Sequence, residues 1–507
     1  MPLSLPPTSA IDERQAPPAA RPGPLDPAWP GRLHAAFRAR SLSTQQAVAQ
    51  AVRTLAHHAL AHTRTATPES DVYPAIEALI AGLDRQLTRQ INPILHHPAL
   101  ARLEGAWRGL HHLVSHTETD TQLRIRVLNL GQREAQRLLR RYPGAAWDQS
   151  PLFRKIYEDE YGQLGGTPYG CLVADWYVDH GPADVELLAG VARIAAAAHA
   201  PFITGASPAV LQMQSWRELA NPRDLAKIFE NTEYAPWRSL RGSDDARFVG
   251  LAMPRFLARL PWGARGQPVE AFAFEEHIDP ADPQAHVWAN AAYAMAANIT
   301  RAFKRHGWCT AIRGVESGGE VAHLPVHVFP SDEGGLAMQC PTEIAISDRR
   351  EAELAQAGFM PLIHRKNSDV AAFIGANSLQ RPARHDDPDA TANAALAARL
   401  PALFAACRFA HYLKCLVRDK VGSFTTAAAL QRQLTDWIHQ YVIANPEHAG
   451  PALQARKPLA AAEVLVDEVP GQPGVCQARL LLRPHYQLEG MQLSLRLVSR
   501  LPRPPGA

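Results

Sequence analysis

The sequence predicts a mixed α/β (α+β) protein that ends in a helix–helix–three-strand unit. Three patterns carry that expectation. Val72, Ile76, Leu79, Ile80, Leu83, Leu87 and Ile91 fall on one face of a helix. The stretch from Trp147 to Arg381 mixes short strands, helices and long loops. Near the end Met491, Leu493, Leu495 and Leu497 face one way while Gln492, Ser494 and Arg496 face the other, the period-two pattern of a half-buried strand.

In chain order, residues 1–30 are rich in Pro and poor in large apolar side chains, so disorder is expected: too little surface can be buried to offset chain entropy. Residues 31–69 form an amphipathic helical segment. Within it Ser43 to His62 places Val48, Ala51, Val52, Leu55 and Ala59 along one stripe. The main domain, 70–380, opens with a helix from Asp71 to Ile91 that Asn92-Pro93 should end. Leu123, Ile125 and Val127 alternate with Arg124 and Arg126, predicting a half-exposed strand, and Gly131 to Tyr142 returns to helix. Strands are predicted at Tyr169 to Tyr177 and Phe248 to Met253, and helices at Asp184 to Ala198 and His286 to His306. The long loops between them read as binding surfaces, with Pro261, Pro268, Pro280 and Pro283 marking insertions. A linker at Arg381 to Pro388 leads into the C-terminal unit, 381–502. Its helices span Ala390 to Val421 and Thr425 to Ile443, and its strands Glu463 to Val469, Val475 to Leu482 and the stretch around Met491 to Leu497. A three-stranded sheet at a chain end has open edges unless another chain covers them.

At 507 residues the chain can hold two or three domains. A net charge of +3 is too mild for a nucleic-acid binder, which needs a concentrated basic surface. Six cysteines without a Cys-x-x-Cys pair suggest reduced thiols in the cytoplasm. No signal peptide opens the chain, and its most apolar stretch, Leu187 to Ile203, is interrupted by Arg193, His199 and Pro201, so no membrane insertion is expected.

Enzyme signatures are absent at each place they could begin. His57-His58, His96-His97 and His111-His112 supply no helical ligand set, and no HExxH occurs. Gly314 to Gly319 is glycine-rich but lacks the Lys-Ser/Thr of a phosphate loop and reads as a tight surface turn. Glu158, Asp159 and Glu160 are adjacent and cannot converge on one point. Cys309, near Arg313, has no base at identifiable spacing and reads as a buried structural thiol. No catalytic residue, metal site or cofactor is expected.

A series of unusual strings gives the chain its place. They are Glu104-Gly-Ala-Trp107-Arg108-Gly109-Leu110, Trp147-Asp148-Gln149-Ser150-Pro151-Leu152-Phe153, Glu218-Leu-Ala-Asn221-Pro222-Arg223-Asp224-Leu225 and Met253-Pro254-Arg255-Phe256-Leu257. Further on stand Cys340-Pro-Thr-Glu343-Ile-Ala-Ile-Ser-Asp348-Arg349-Arg350, His364-Arg-Lys-Asn367-Ser-Asp369, Arg408-Phe409-Ala-His411-Tyr412-Leu-Lys414-Cys415 and Arg483-Pro484-His485-Tyr486-Gln487-Leu488-Glu489-Gly490. In this order they resemble the TssC (VipB) large sheath subunits of type VI secretion, from about Ile76 to Pro502. The first seventy residues match poorly.

That resemblance implies a contractile tail sheath-like fold whose C-terminal sheet is completed by strands from neighbouring subunits. It implies a structural protein rather than an enzyme. The expected partners are the small subunit TssB (VipA), further copies of itself in a helical polymer, the Hcp inner tube and baseplate components. The polymer would assemble in the bacterial cytoplasm, anchored at the cell envelope, and contract to drive the tube outward. Met491, Leu493, Leu495 and Leu497 would serve sheet packing and the strand between subunits. The basic residues Arg399, Arg408, Lys414, Arg418 and Lys420 are candidates to face the inner tube. Val48, Val52 and Leu55 are candidates for the recycling ATPase ClpV. A sheath of another phage-like injection system, or a non-polymerising adaptor of the same fold, would share much of this reading.

Overall fold

The computed structural model describes residues 44, 46–54, 72–221, 224–264, 266–278, 285–330, 335–422, 426–470, 476–485 and 487, with backbone only at 72–76, 330, 336 and 337. They fall into two compact units: the chain up to His97 together with Pro261–Ile278, and Pro98–Leu260 together with the chain from Asp279 onward.

In the first unit, residues 46–54 are helical, and a long helix follows at Val72–Leu95. This helix does not stop at Asn92-Pro93. Pro93 sits inside its last turn, where only one ladder bond is forfeited before the chain leaves the helix anyway. Asn92 also anchors that turn. Its Nδ2 donates to the carbonyls of Thr88 (2.9 Å) and Glu275 (3.0 Å), and its Oδ1 accepts from the His277 amide (2.9 Å). The buried positions here are the polar Thr88 and Asn92, while Ile80, Leu83, Leu87 and Ile94 are exposed.

The second unit is organised by a six-stranded sheet of order β1-β2-β3-β9-β10-β6. Its strands are β1 (Leu172–Val178), β2 (Phe202–Ala206), β3 (Val249–Met253), β6 (Glu320–Val321), β9 (Phe359–His364) and β10 (Ala371–Phe373). The first four in that order run parallel, and β10 pairs antiparallel with both β9 and β6. Two small ladders flank it: β4 (Phe256–Leu257) with β5 (Trp288–Ala289), and β7 (Val328–Pro330) with β8 (Leu336–Met338). Parallel strands need covered faces, and the helices Pro182–Ala198 and Ala291–His306 both pack on this sheet. His199 closes the first helix in a left-handed conformation (φ 50°), which turns the chain through Pro201 into β2. Asn290 caps the second, its side chain accepting from the Ala292 amide (2.9 Å).

The helix Pro98–Ser115 packs against Ala291–His306 through glycines. A Cβ at Gly105 would stand 2.3 Å from the Trp288 carbonyl oxygen, and one at Gly109 2.4 Å from the Tyr293 ring, so only glycine allows this approach. Glu104 on this helix accepts from Arg108 (2.7 Å) and from Arg259 (2.6 Å), whose side chain is 1% exposed. The glycine-lined contact turns Leu103, Trp107 and Val114 outward.

Several expectations need correction. Residues 123–130 join no ladder among the described residues, so the predicted strand is an unpaired segment. Its alternation has another origin: Ile125 packs toward Leu113, Ala296 and Ala297, while Arg126 reaches outward to Glu160 and to Thr167 (3.0 Å). The helix expected from His286 starts at Ala291, because Trp288–Ala289 pairs as β5. The helix expected from Ala390 to Val421 is two helices, Pro388–Ala397 and Leu400–Lys420. Pro401 lies in the first turn of the second, where its missing N–H forfeits no helical bond, and Arg399 is the extended N-cap (φ −94°, ψ 135°). Residues 1–43 lie outside the described residues.

Candidate functional site

The C-terminal unit is where strand edges and basic residues meet. After Leu400–Lys420 come the helices Ala427–His439 and Pro451–Arg456, then β11 (Leu459–Glu468) and β12 (Cys476–Pro484), which form an antiparallel hairpin. Alternation decides its faces. Val464 and Val466 are buried, with Ala462, Ala478, Leu480 and Leu482 half-buried beside them, against Trp308, Phe409, Leu434 and Ile438. Glu463, Asp467, Arg479 and Leu481 face outward, and Arg479 pairs with Asp467 (2.6 Å).

Among the described residues β11 and β12 form a two-stranded sheet, with one further bridge from Leu459 to Val442. The outer edge of β11 is covered at its two ends, where Ile443 donates to the Leu459 carbonyl (3.1 Å) and the Gln431 side chain accepts from the Val466 amide (3.1 Å). The end of β12 is tied down as well. His485 reaches the Lys457 carbonyl (2.9 Å), and Gln487 bridges Arg313 (2.6 Å) and the Thr310 carbonyl (3.1 Å). Met491, Leu493, Leu495 and Leu497 lie outside the described residues, as does Leu55. Val48 and Val52 are half-buried in the 46–54 helix.

The basic residues of the Leu400–Lys420 helix have partners within the chain. Arg408 lies over the rings of Phe303 (4.5 Å), Trp308 (5.4 Å) and Tyr412 (5.1 Å) and donates to the Tyr412 hydroxyl (2.6 Å). The ammonium of Lys414 sits 3.6 Å from the centre of the Tyr161 ring and 4.8 Å from that of Tyr157. Arg418 donates to the carbonyls of Gln163 (3.1 Å) and Tyr161 (3.2 Å), at the end of the π-helix Arg154–Gly162. Rings and carbonyls orient a cation without neutralising it, so Lys414 and Arg418, one helical turn apart, keep their charge beside Tyr157 and Tyr161. Arg399 stands at its N-cap and Lys420 at its last residue.

Beside Lys414, His411 donates from Nε2 to the Ala198 carbonyl (2.9 Å) and lies against Tyr161 (4.9 Å between centroids). Burial, reinforced by His199, Arg408 and Lys414, pushes His411 down to about 4. Burial likewise pushes Tyr161 up to about 12. Among the described residues, Leu400–Lys420 rather than Leu187 to Ile203 is the stretch long and apolar enough to cross a membrane by length and composition. Here its apolar side chains Leu400, Leu403, Phe404, Cys407 and Phe409 are buried in the fold.

The residues weighed for chemistry do not assemble. Glu158 pairs with Arg154 (3.4 Å), while Glu160 turns to Arg126 and to the Thr167 amide (2.8 Å). Gly314 to Gly319 is a π-turn leading into β6, closed by the Gly319 amide on the Gly314 carbonyl (2.8 Å). Burial pushes the Cys309 thiol up to about 12, the opposite of an activated nucleophile. No group of three metal-ligating side chains occurs among the described residues.

Comparison with known proteins gives concordant matches over most of the length. The EvpB/VC_A0108 tail sheath N-terminal domain family matches residues 77–380, and the EvpB/VC_A0108 tail sheath gpW/gp25-like domain family matches residues 389–501. A Pseudomonas aeruginosa protein named type VI secretion system sheath protein TssC1 is 62% identical over 466 residues, covering 92% of this chain and 93% of that one. Among solved structures, the anti-feeding prophage baseplate aligns at 11% identity and TM-score 0.38, over 75% of this chain and 84% of that one. The same particle's contracted helical sheath aligns at 11% identity and TM-score 0.29, over 61% and 66%.

Proposed function

The chain belongs to the VipB (EvpB) tail-sheath family and is a contractile sheath subunit of a type VI secretion system, and on that premise we propose that it is the large subunit, which polymerises with a small partner, TssB (VipA), around an Hcp tube. The family is structural rather than enzymatic, and the proposal extends this to the absence of any catalysis by the chain itself. Assembly takes place in the cytoplasm on a baseplate at the cell envelope.

The observation that carries the reading is the β11–β12 hairpin, a two-stranded sheet among the described residues with one face on a small apolar cluster. Two strands alone are marginal in water, and open edges invite pairing with another chain. Strand addition from a neighbouring subunit satisfies both needs and leaves subunits linked while their packing changes. Residues 489–502, with Met491, Leu493, Leu495 and Leu497, are assigned to that linkage. The positive face of the Leu400–Lys420 helix is assigned to the tube. There charge complementarity sets register, and Arg408, Lys414 and Arg418 are pre-oriented by the partners already holding them. Val48, Val52 and Leu55 are assigned to the recycling ATPase ClpV.

Co-expression with the neighbouring small sheath gene, followed by negative-stain electron microscopy, tests these assignments together. Long hollow tubules are expected, and removal of 489–502 should abolish them. Discrete soluble particles from the intact chain would overturn the polymer in favour of a non-polymerising adaptor. Within the same preparations, Lys414→Glu with Arg418→Glu should release the tube protein from pelleted tubules. Removal of residues 1–61 should release the ATPase. Unchanged co-sedimentation would sink the respective assignment.

A further inference from the structure

Residues 308–314 pass in one short run from one apolar core to the other. Trp308 belongs to the cluster under the β11–β12 hairpin, whereas Ile312 is fully buried in the main core. Just beyond, the Gly314 amide donates to the Phe373 carbonyl of β10 (2.7 Å), which fastens the run to the six-stranded sheet. Arg313, between Ile312 and Gly314, is itself buried. The stretch that follows β12 comes back to the middle of this run. Gln487 accepts at Oε1 from Arg313 Nε (2.6 Å) and donates from Nε2 to the Thr310 carbonyl (3.1 Å). A guanidinium only donates and a carbonyl only accepts, so these two partners fix which way the amide points. A carboxylate at this position would lose the bond to Thr310, and a methionine of the same length would lose both.

A second fastening precedes it at His485. The His485 amide donates to the Pro458 carbonyl (3.2 Å), and its ring reaches the Lys457 carbonyl (2.9 Å). The chain leaving β12 is thus tied first to the approach to β11, then to the run that joins the two cores. Residue 489 opens the stretch assigned above to the strand between subunits. An extended residue spans at most ~3.5 Å, so an anchor at Gln487 keeps residue 489 within about 7 Å. With the last tie at His485 that reach doubles to about 14 Å, and the volume open to residue 489 grows about eightfold.

We propose that Gln487 is a positioning residue: bridged to Arg313 and Thr310, it aims the C-terminal stretch at the sheet edge of a neighbouring subunit. The inference rests on the strand-linkage reading given above and names the residue that sets the direction of that linkage. Strand addition requires the incoming strand to meet an edge in one register and one orientation. Confining the first residue of the strand raises its effective concentration at that edge without adding any contact to it. The partner that Gln487 grips suits the task, because the 308–314 run is packed into both cores and fastened to β10.

The test uses the full-length chain in three forms, each co-expressed with the small sheath gene: wild type, Gln487→Met, and an insertion of two glycines after residue 488. Methionine keeps the length of the side chain and removes both bonds. The insertion keeps both bonds and gives the same longer reach by lengthening the chain. Each variant should raise the protein concentration needed for tubules about eightfold, read by pelleting and negative-stain microscopy of a dilution series. Hydrogen exchange of the same chains before assembly reads the tether without any polymer. Peptides covering His485 should exchange about tenfold faster in Gln487→Met and at the wild-type rate in the insertion variant. The peptide covering Val464 and Val466 should be unchanged in both. An insertion variant that assembles at the wild-type concentration overturns the positioning role, because only reach has changed. Unchanged exchange at His485 in a folded Gln487→Met protein overturns the tether and the proposal with it. A wild-type chain that forms no tubules sinks the polymer reading instead, and the exchange arm still decides whether Gln487 holds the stretch.

Discussion

The six-stranded sheet and the β11–β12 hairpin bury apolar residues in different ways. Every residue of β2 and β3 is buried, and β9 is buried over its first four positions, with helices supplying the cover. In β12 no residue is fully buried, and alternate positions face solvent. The first sheet holds its apolar residues within the main core. The second has one face on a cluster of Trp308, Phe409, Leu434, Ile438, Leu459, Val464 and Val466 that is separate from the main core. A protein that must be rigid as a subunit and extensible as a polymer can divide these tasks between two sheets.

The largest effect that separates the two regions is expected at Trp308. Its ring lies against Phe409 (4.6 Å) and Tyr441 (5.2 Å), joining the end of the Ala291–His306 helix to the hairpin cluster. Trp308→Ala should destabilise the C-terminal unit by ~4 kcal/mol, the range for a large aromatic removed from a core. Because the main core does not include Trp308, urea unfolding followed by circular dichroism should become biphasic, with the second transition near the wild-type midpoint. One cooperative transition, shifted as a whole, would show that the two sheets share a single folding unit.

A smaller effect is expected at the seam. His411 joins the Leu400–Lys420 helix to Ala198 of the central domain and is held down to about 4 by burial. Its folded value is depressed below the ordinary 6.5. The stability it contributes is therefore complete above about 6.5 and is lost as pH falls toward the folded value, where the unfolded chain binds the extra proton. His411→Gln keeps a donor for the Ala198 carbonyl and should remove up to about 1.4 kcal/mol per pH unit of the slope between pH 6 and 5. Urea midpoints at pH 7, 6 and 5 read this directly. An unchanged slope would mean that His411 is not the group titrating there.

How much of this was legible follows from burial. The helix predicted at Asp184 to Ala198 and the strand at Phe248 to Met253 lie within a residue or two of their observed bounds, because long periodic or strongly apolar runs leave little choice. The strands β2 and β9 gave no signal: strands buried on both faces do not alternate, so nothing distinguishes Phe202–Ala206 from a short core segment. The alternation at Leu123 to Val127 was real but belonged to an unpaired segment whose side chains have different partners. The basic residues were legible, whereas the tyrosines under Lys414 and the carbonyls beneath Arg418 lie more than 250 residues away in sequence.

The smallest effect on folding should accompany a large effect on assembly, at Leu481. It lies on the outward face of β12, 58% exposed, where a soluble monomer gains nothing from leucine. Leu481→Lys should change the stability of the isolated chain by no more than ~0.5 kcal/mol, as for surface substitutions away from special features. In a polymer whose neighbouring strands extend this sheet, the same lysine would be carried into a contact without a defined counter-charge. Lysine is also the residue that sheet edges use to refuse pairing. Tubule yield should therefore collapse while the urea midpoint stays put. A variant that assembles normally would place the strand contact away from this face. A variant that unfolds would show that Leu481 is already covered within the subunit, erasing the contrast between the closed sheet and the open one.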